Sequence, residues 1–376
     1  METNLIRLGD CVLCNPTVKL TKGQLYSLID IDKIEIGRKF VTKKSLVSYS
    51  AQSGCKFEDG DTLMARITPC LENGKMAVAK IEDKGIGSTE LFVFRNREGV
   101  TDKEFVYYLF KQQYIRNLAA NSMTGASGRQ RADLKFVKRI KLNLPLLPIQ
   151  HRIASILSTY DMLIENNTKR IRLLEKMAEN LYKEWFVRFR FPGHEKVEME
   201  NGLPKGWKYV NFGKLSPIVT GKKDANFASP NGKYKFFTCS KADLMADSYS
   251  FDCFAIILAG NGDLNVKLYK GQFEAYQRTY VLTPYDISHI YISYYTIQSE
   301  LDRLLVGAAG AVIKFLTKGM IEKIKIVVPD QSLLRKFNIM LDANFKIRQN
   351  LIAQNTLLAR QRDLLLPRLM SGKLEV

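Results

Sequence analysis

Between Pro145 and Arg190 a seam, apolar but for one position, recurs at Ile153, Leu157, Tyr160, Ile164, Asn167, Ile171, Leu174, Ala178, Leu181 and Trp185. The steps of four and three alternate without a break, which is the 3.5-residue seam of a helix that packs on another long helix. The faces between are wet, with Lys169, Arg170, Arg172, Lys176, Glu179 and Lys183. Pro148 suits a first helical turn, where its missing N–H costs nothing. Phe191-Pro192-Gly193 closes the run. At about 1.5 Å per residue the helix is roughly 55–60 Å long, more than one ordinary domain buries. Its one polar seam position, Asn167, is of the kind that fixes register at some cost in stability.

The partner helix lies in the same chain. A shift of 181 carries Pro148 onto Pro329, Gln150 onto Gln331, Asp161 onto Asp342, Ile171 onto Ile352 and Ala178 onto Ala359. Gly125-Ala126-Ser127-Gly128 is matched by Gly307-Ala308-Ala309-Gly310, and each precedes a basic, apolar approach, a proline and a long helix. The chain therefore reads as a head-to-tail duplicate of a unit of about 180 residues. The second helix keeps Leu334, Leu341, Phe345 and Ile352 in its seam but also places Arg348, Asn355 and Arg362 there, a poorer pattern.

Ahead of each helix the period changes. In the first half Asp61–Ile67, Met76–Ala79 and Glu90–Arg95 have strand composition, with a turn at Asn73-Gly74-Lys75. A helix over Thr101–Leu118 is expected, Thr101 capping it and Glu104 completing a capping box. In the second half Cys253–Ala259 and Thr279–Leu282 read as strands and Asp286–Leu305 as a helix. The fold class is α+β: two tandem mixed α/β globules, each followed by a long helix. The segments are 1–144, 145–190, 191–328 and 329–376, with a Pro/Gly-punctuated linker at Pro192–Gly206.

Composition narrows the partners. The net charge is +19, and each of the four segments is positive, so no basic tail accounts for it. A folded chain that is basic throughout points to a polyanion, nucleic acid before a membrane surface. No apolar run approaches a membrane span, and Met1-Glu2-Thr3-Asn4 does not open a signal peptide. Six scattered cysteines suit reduced thiols in a cytoplasmic protein. Cys11 and Cys14 lack a second close pair or nearby histidines, so no metal site is expected.

The parts needed for chemistry on DNA are missing. Asn15-Pro16-Thr17-Val18 has one proline and no aromatic where an amino-methyltransferase needs Asn/Asp-Pro-Pro-aromatic. None of Gly74-Lys75, Gly221-Lys222, Gly232-Lys233 and Gly372-Lys373 fits a P-loop. No Glu-x-Lys follows Pro329-Asp330, and the three histidines carry no triad signature. The chain reads as non-catalytic, with no cofactor of its own.

Several stretches resemble the specificity (S) subunits of type I restriction–modification systems. They are Leu147–Leu157 with Asp161, continuing to Tyr182–Phe186; Leu203-Pro204-Lys205-Gly206-Trp207; and Arg362–Lys373. Ile67–Lys75, Gly87–Leu91 and Ala275–Leu282 look like target-recognition signatures of the same family. The resemblance implies two target recognition domains, each reading half of a bipartite double-stranded DNA site. It also implies two conserved helical regions that pack as an antiparallel coiled coil and set the spacer. Two methyltransferase subunits bringing S-adenosylmethionine would flank the chain, and motor-nuclease subunits using ATP and Mg would complete the restriction form. The alternative is a coiled-coil adaptor whose basic globules bind nucleic acid non-specifically.

Phosphate contacts need flexible cations near turns, and base reading favours Arg, Asn and Gln. In the first globule these are Arg38, Lys39, Lys43, Lys44, Thr68, Asn73, Lys75, Arg129, Gln130 and Arg131. In the second they are Lys222, Lys223, Asn261, Lys267, Gln277 and Arg278.

Overall fold

The computed structural model describes residues 3–42, 45–125, 128–307 and 315–376. These form two compact units, residues 1–171 with 350–376, and residues 172–349. The sequence segments follow the elements, whereas the compact units each take part of both long helices.

In the first unit the strand Thr3–Arg7 pairs antiparallel with Lys141–Pro145, which runs directly into the helix Leu147–Tyr182. A short helical turn, Leu8–Cys11, lies against the helix Leu134–Arg139. The Leu8 N–H donates to the Ile140 carbonyl at 2.8 Å. Gly9 permits this approach, because a Cβ there would meet Lys138 Cβ at 3.0 Å. A five-stranded sheet follows in the order Val12–Cys14, Leu91–Asn96, Thr62–Ala65, Met76–Ala79, Phe40–Val41. Ser45–Ser48, Leu25–Ile29, Lys84–Gly87 and Cys55–Glu58, interleaved with these along the chain, form a four-stranded sheet in that order.

The expected helix over Thr101–Leu118 is two helices, Lys103–Lys111 and Gln113–Ala120, broken at Gln112 where ψ is 127°. Asp102, not Thr101, caps the first, its carboxylate accepting from the Phe105 N–H at 2.8 Å. Thr101 instead donates its hydroxyl to the Cys11 carbonyl at 2.7 Å, and Glu104 pairs with Lys39. The aromatics Phe105, Tyr107, Tyr108 and Phe110 are buried as core.

The second unit repeats this plan. Lys208–Asn211 pairs with Lys325–Val328, and the Phe212 N–H donates to the Ile324 carbonyl at 2.8 Å. Gly213 again lets the turn approach a short helix, its missing Cβ falling 2.9 Å from Glu322 Cγ. The sheet order is Ile218–Thr220, Thr279–Leu282, Phe251–Ala259, Val266–Ala275, Tyr234–Phe237, Leu244–Ala246. In both sheets the fourth and fifth strands pair in parallel while the first four pair antiparallel.

On the helix Leu147–Tyr182 and the π-helical turn Lys183–Val187 that ends it, none of the ten seam positions is exposed. The helix Gln331–Met370 has a regular seam of its own: Leu334, Phe337, Leu341, Asn344, Arg348, Leu351, Asn355, Leu358, Arg362, Leu365 and Leu369, all buried or half-buried. Two expected members are corrected. Ile352 is 43% exposed and Leu351 takes its place. Phe345 turns to the Phe254 ring, centroids 5.3 Å apart, and Asn344 stands in the seam. At these two positions an apolar letter one residue along drew the reading off a track that it otherwise followed through Leu334, Leu341, Arg348, Asn355 and Arg362.

Those polar residues are partnered across the helix pair, antiparallel in each unit. In the second, Asn344 donates to the Leu174 carbonyl at 2.9 Å and Arg348 lies 3.7 Å from Glu175. In the first, Asn355 meets Thr168 at 3.4 Å and Arg362 pairs with Asp161. Tyr108 donates to the other Asp161 oxygen at 2.5 Å, fastening the globule to the helix. Burial and then the Asp161 charge raise the Tyr108 hydroxyl far above its usual range, so it remains a donor. The second unit has the same fastening: Tyr291 donates to Asp342 at 2.6 Å.

Arg362 and Asp161 are both nearly inaccessible to solvent. Removing one partner of such a pair leaves a buried charge, at a cost of about 3 kcal/mol or more, whereas replacing both by apolar residues is far cheaper. Asp161→Ala is therefore expected to lower the denaturant midpoint markedly, and Asp161→Leu combined with Arg362→Met to recover most of the loss. Equal midpoints for the single and double variants would contradict this account.

Candidate nucleic-acid interface

In the first globule the segment 66–75 links the strands Thr62–Ala65 and Met76–Ala79. It contains a cis Thr68–Pro69 peptide and turns at Gly74, where φ is +70°. A Cβ at Gly74 would fall 1.8 Å from Arg116 Nη1, so glycine serves both the turn and the approach of that guanidinium. Three backbone bonds tie this hairpin to its neighbours. Arg66 N–H donates to the Glu90 carbonyl at 3.0 Å, Ala132 N–H to the Arg66 carbonyl at 2.8 Å, and Thr68 N–H to the Gln130 carbonyl at 3.0 Å. Three separate segments thus form one rim at the end of the sheet.

Six of the expected residues stand on that rim: Thr68, Asn73, Lys75, Arg129, Gln130 and Arg131. Asn73 and Arg129 are exposed, whereas Thr68, Lys75 and Gln130 are half-buried. Arg131 forks onto Glu90, with Nε at 3.0 and 2.9 Å from the two carboxylate oxygens and Nη2 at 2.6 Å from one. The hydrogen bonds from Arg131 hold the Glu90 carboxyl below its usual range. Arg66, which the sequence reading passed over, lies with its guanidinium 5.1 Å from the Phe92 ring centroid.

Two expected residues do not serve the rim. Lys39 is buried, ion-paired with Glu104 and donating to the Tyr108 hydroxyl at 3.2 Å, so its charge is spent inside the fold. Arg38 bridges Glu35 and Glu165, each at 2.9 Å, and these contacts raise its pKa against the lowering by burial. Lys43 and Lys44 lie outside the described residues. The paired basic letters looked like a surface patch, but the carboxylates that neutralise Arg38 and Lys39 include partners distant in sequence.

The second globule has a rim that shares two of these bonds and adds one of its own. Gly260 N–H donates to the Arg278 carbonyl at 2.9 Å, Leu316 N–H to the Gly260 carbonyl at 2.8 Å, and Gln277 N–H to the Lys223 carbonyl at 2.9 Å. Lys222, Gln277 and Arg278 are exposed here, and Asn261 is half-buried. Lys223 stands over the Phe227 ring at 4.3 Å, and the Gln277 amide donates to Asp224 at 3.3 Å. Lys267 is the exception. It lies in the strand Val266–Ala275 and donates to Asp243 at 2.8 Å and the Ser240 carbonyl at 2.9 Å, acting as a strut. Asp243, which burial alone would raise, is held low by Lys235 and Lys267. Lys241, exposed and 3.4 Å from Asp263, was not picked out by the sequence reading. No periodicity marks a lone lysine in a loop.

Shared backbone bonds make Arg66 equivalent to Gly260, Glu90 to Arg278 and Ala132 to Leu316. The frame is duplicated, but its side chains are not. A carboxylate–guanidinium pair occupies one rim where an exposed arginine stands on the other. Exposed cations and amides on rigidly tied loops can contact phosphates and base edges.

Comparison with known proteins agrees with this architecture. The family model "Type I restriction modification DNA specificity domain" matches residues 23–176. The EcoDI type I restriction enzyme specificity subunit of Escherichia coli is 35% identical over 176 residues, covering 46% of this chain but 39% of the relative's length. The MjaIX specificity subunit of Methanocaldococcus jannaschii is 26% identical over 380 residues, covering 91% of this chain and 83% of the relative. The crystal structure of a type I restriction–modification S subunit from M. genitalium has the same fold, with a TM-score of 0.60 and 16% identity over 98% of this chain and 96% of that one. The duplicated frame and the paired long helices thus stand beside one likeness: residues 23–176 match a type I restriction modification DNA specificity domain, and the chain is similar over most of its length to a type I restriction enzyme specificity subunit.

Proposed function

We propose that the chain is the non-catalytic DNA-recognition subunit of a type I restriction–modification complex, each globule reading one half of a bipartite site. The observation that carries this reading is the doubled rim: one backbone frame, used twice, bearing different side chains. A module that bound DNA without regard to sequence would have no need of two divergent rims on a common frame. A net charge of +19 supplies the sequence-independent attraction to phosphate. The long helices set the spacing between half-sites and offer the docking surface for two methyltransferase subunits. Those subunits carry S-adenosylmethionine and flip the target adenine, and motor-nuclease subunits using ATP and Mg join for restriction. The work is done in the cytoplasm.

Replacing residues 1–144 by the same segment of a relative is expected to change one half of the methylated motif and leave the other half intact, read by methylome sequencing. A change in both halves, or in neither, would refute the division of labour. The purified chain alone is expected to transfer no methyl group, and activity to appear when the methyltransferase subunit is added.

The helices are tested as a ruler by deleting the facing heptads 164–170 and 353–359, which the Asp161–Arg362 and Thr168–Asn355 contacts place opposite one another. The gap in the motif is expected to shorten by about 10 Å, or roughly three base pairs at ~3.4 Å each. An unchanged gap would mean that another element sets the spacing.

A further inference from the structure

We propose that Arg278 is the base-reading guanidinium of the second rim, recognising a guanine in the major groove. The first globule then reads its half-site without a free guanidinium at the equivalent position. This rests on the DNA-recognition reading above and assigns a base class to one residue of it.

Most polar groups of the second rim are already spent. Lys223 lies on Phe227, the Gln277 amide on Asp224, Lys241 beside Asp263, and Lys267 on Asp243. The amide of Asn265 is divided between the Cys239 and Asp263 carbonyls at 3.1 and 2.7 Å. Arg278 differs from all of these. It is exposed, and among the described residues its side chain has no ion-pair or hydrogen-bond partner.

The Arg278 backbone is nevertheless fixed. Its carbonyl accepts from the Gly260 N–H and from the Cys239 thiol at 3.4 Å, and Thr279 directly after it is fully buried in the sheet. A guanidinium on an immobile base loses less freedom on docking than one on a loose loop. Its fork matches the O6 and N7 acceptors of guanine, whereas the nearby exposed Lys222 is a point charge suited to phosphate.

The first rim shows the contrast. Glu90 holds the equivalent place, and its carboxylate engages Nε and Nη2, the side edge of the Arg131 guanidinium. The place equivalent to Arg278 is thus a carboxylate already paired with a cation, not a guanidinium.

The test uses the complex reconstituted from this chain and its methyltransferase subunit, with the methylated motif read by sequencing. Both Arg278→Ala and Arg278→Lys are expected to make one guanine of one half-site degenerate. The loss of discrimination should be about 10- to 100-fold, with the other half-site and the spacer unchanged. Lys222→Ala is expected to weaken methylation uniformly and leave the motif intact. The proposal is overturned if Arg278→Lys retains the full motif while Arg278→Ala lowers methylation at all sites, since Arg278 then contacts only phosphate. It is equally overturned if neither substitution has an effect, or if the wild-type half-site contains no guanine that responds. Arg278 packs into no core, so a thermal unfolding midpoint shared with wild type separates these outcomes from misfolding. Failure here with a successful exchange of residues 1–144 would reject Arg278 as the reader and leave the recognition role standing.

Discussion

Arg362 spends its charge inside the helix pair, against Asp161 and beside Asp363. Burial alone would lower its pKa, and the two carboxylates more than reverse this, so the guanidinium is fully charged in a nearly closed site. A buried ion pair is weak evidence for net stability, because desolvation offsets much of the attraction. Its consequence is positional. Of all the registers that leucines would tolerate, only one brings Arg362 to Asp161, Asn355 to Thr168 and Asn344 to the Leu174 carbonyl. A polar seam residue fixes register where apolar ones permit slippage.

Asp161 also accepts the Tyr108 hydroxyl, so the register of the helices and the seating of the first globule share one carboxylate. Lys39 and Glu104 extend this network into the globule, and Gln150 adds to it. The Gln150 amide accepts from the Asp102 N–H and donates to the Val100 and Pro145 carbonyls, joining the helix cap to the start of the long helix. The second unit keeps the Tyr291–Asp342 contact, but Leu181 stands where the repeat would place the mate of Arg362. Duplication preserved the fastening and let the counter-charge diverge.

The same separation of frame from surface holds at the rims. Backbone bonds at Arg66 and Gly260 are equivalent, so the constraint that positions the loops does not depend on their side chains. Side chains on such a frame can change without loss of the fold. That permits one architecture to be used twice for two different readings.

The heptad over 153–185, the repeat of about 180 residues and the uniform positive charge were legible from the sequence, because each is a periodic or summed property that no single contact alters. So were the strands bordering both rims and the presence of six candidate residues on the first. The tertiary structure decided what depends on partners far along the chain. Lys39 and Arg38 read as surface cations until Glu104 and Glu165 were brought beside them. Ile352 read as a seam residue because it is apolar. The sequence did place Arg348, Asn355 and Arg362 in the seam, but only the structure set Asn344 there and brought the hydrogen-bond and charge partners of all four on the facing helix beside them. Gly9 and Gly213 gave no signal, since the helix that each must approach is more than a hundred residues away. Apolar periodicity is local and can be read from one strand of text. The satisfaction of a buried polar group is a property of two segments at once, and only the folded chain brings them together.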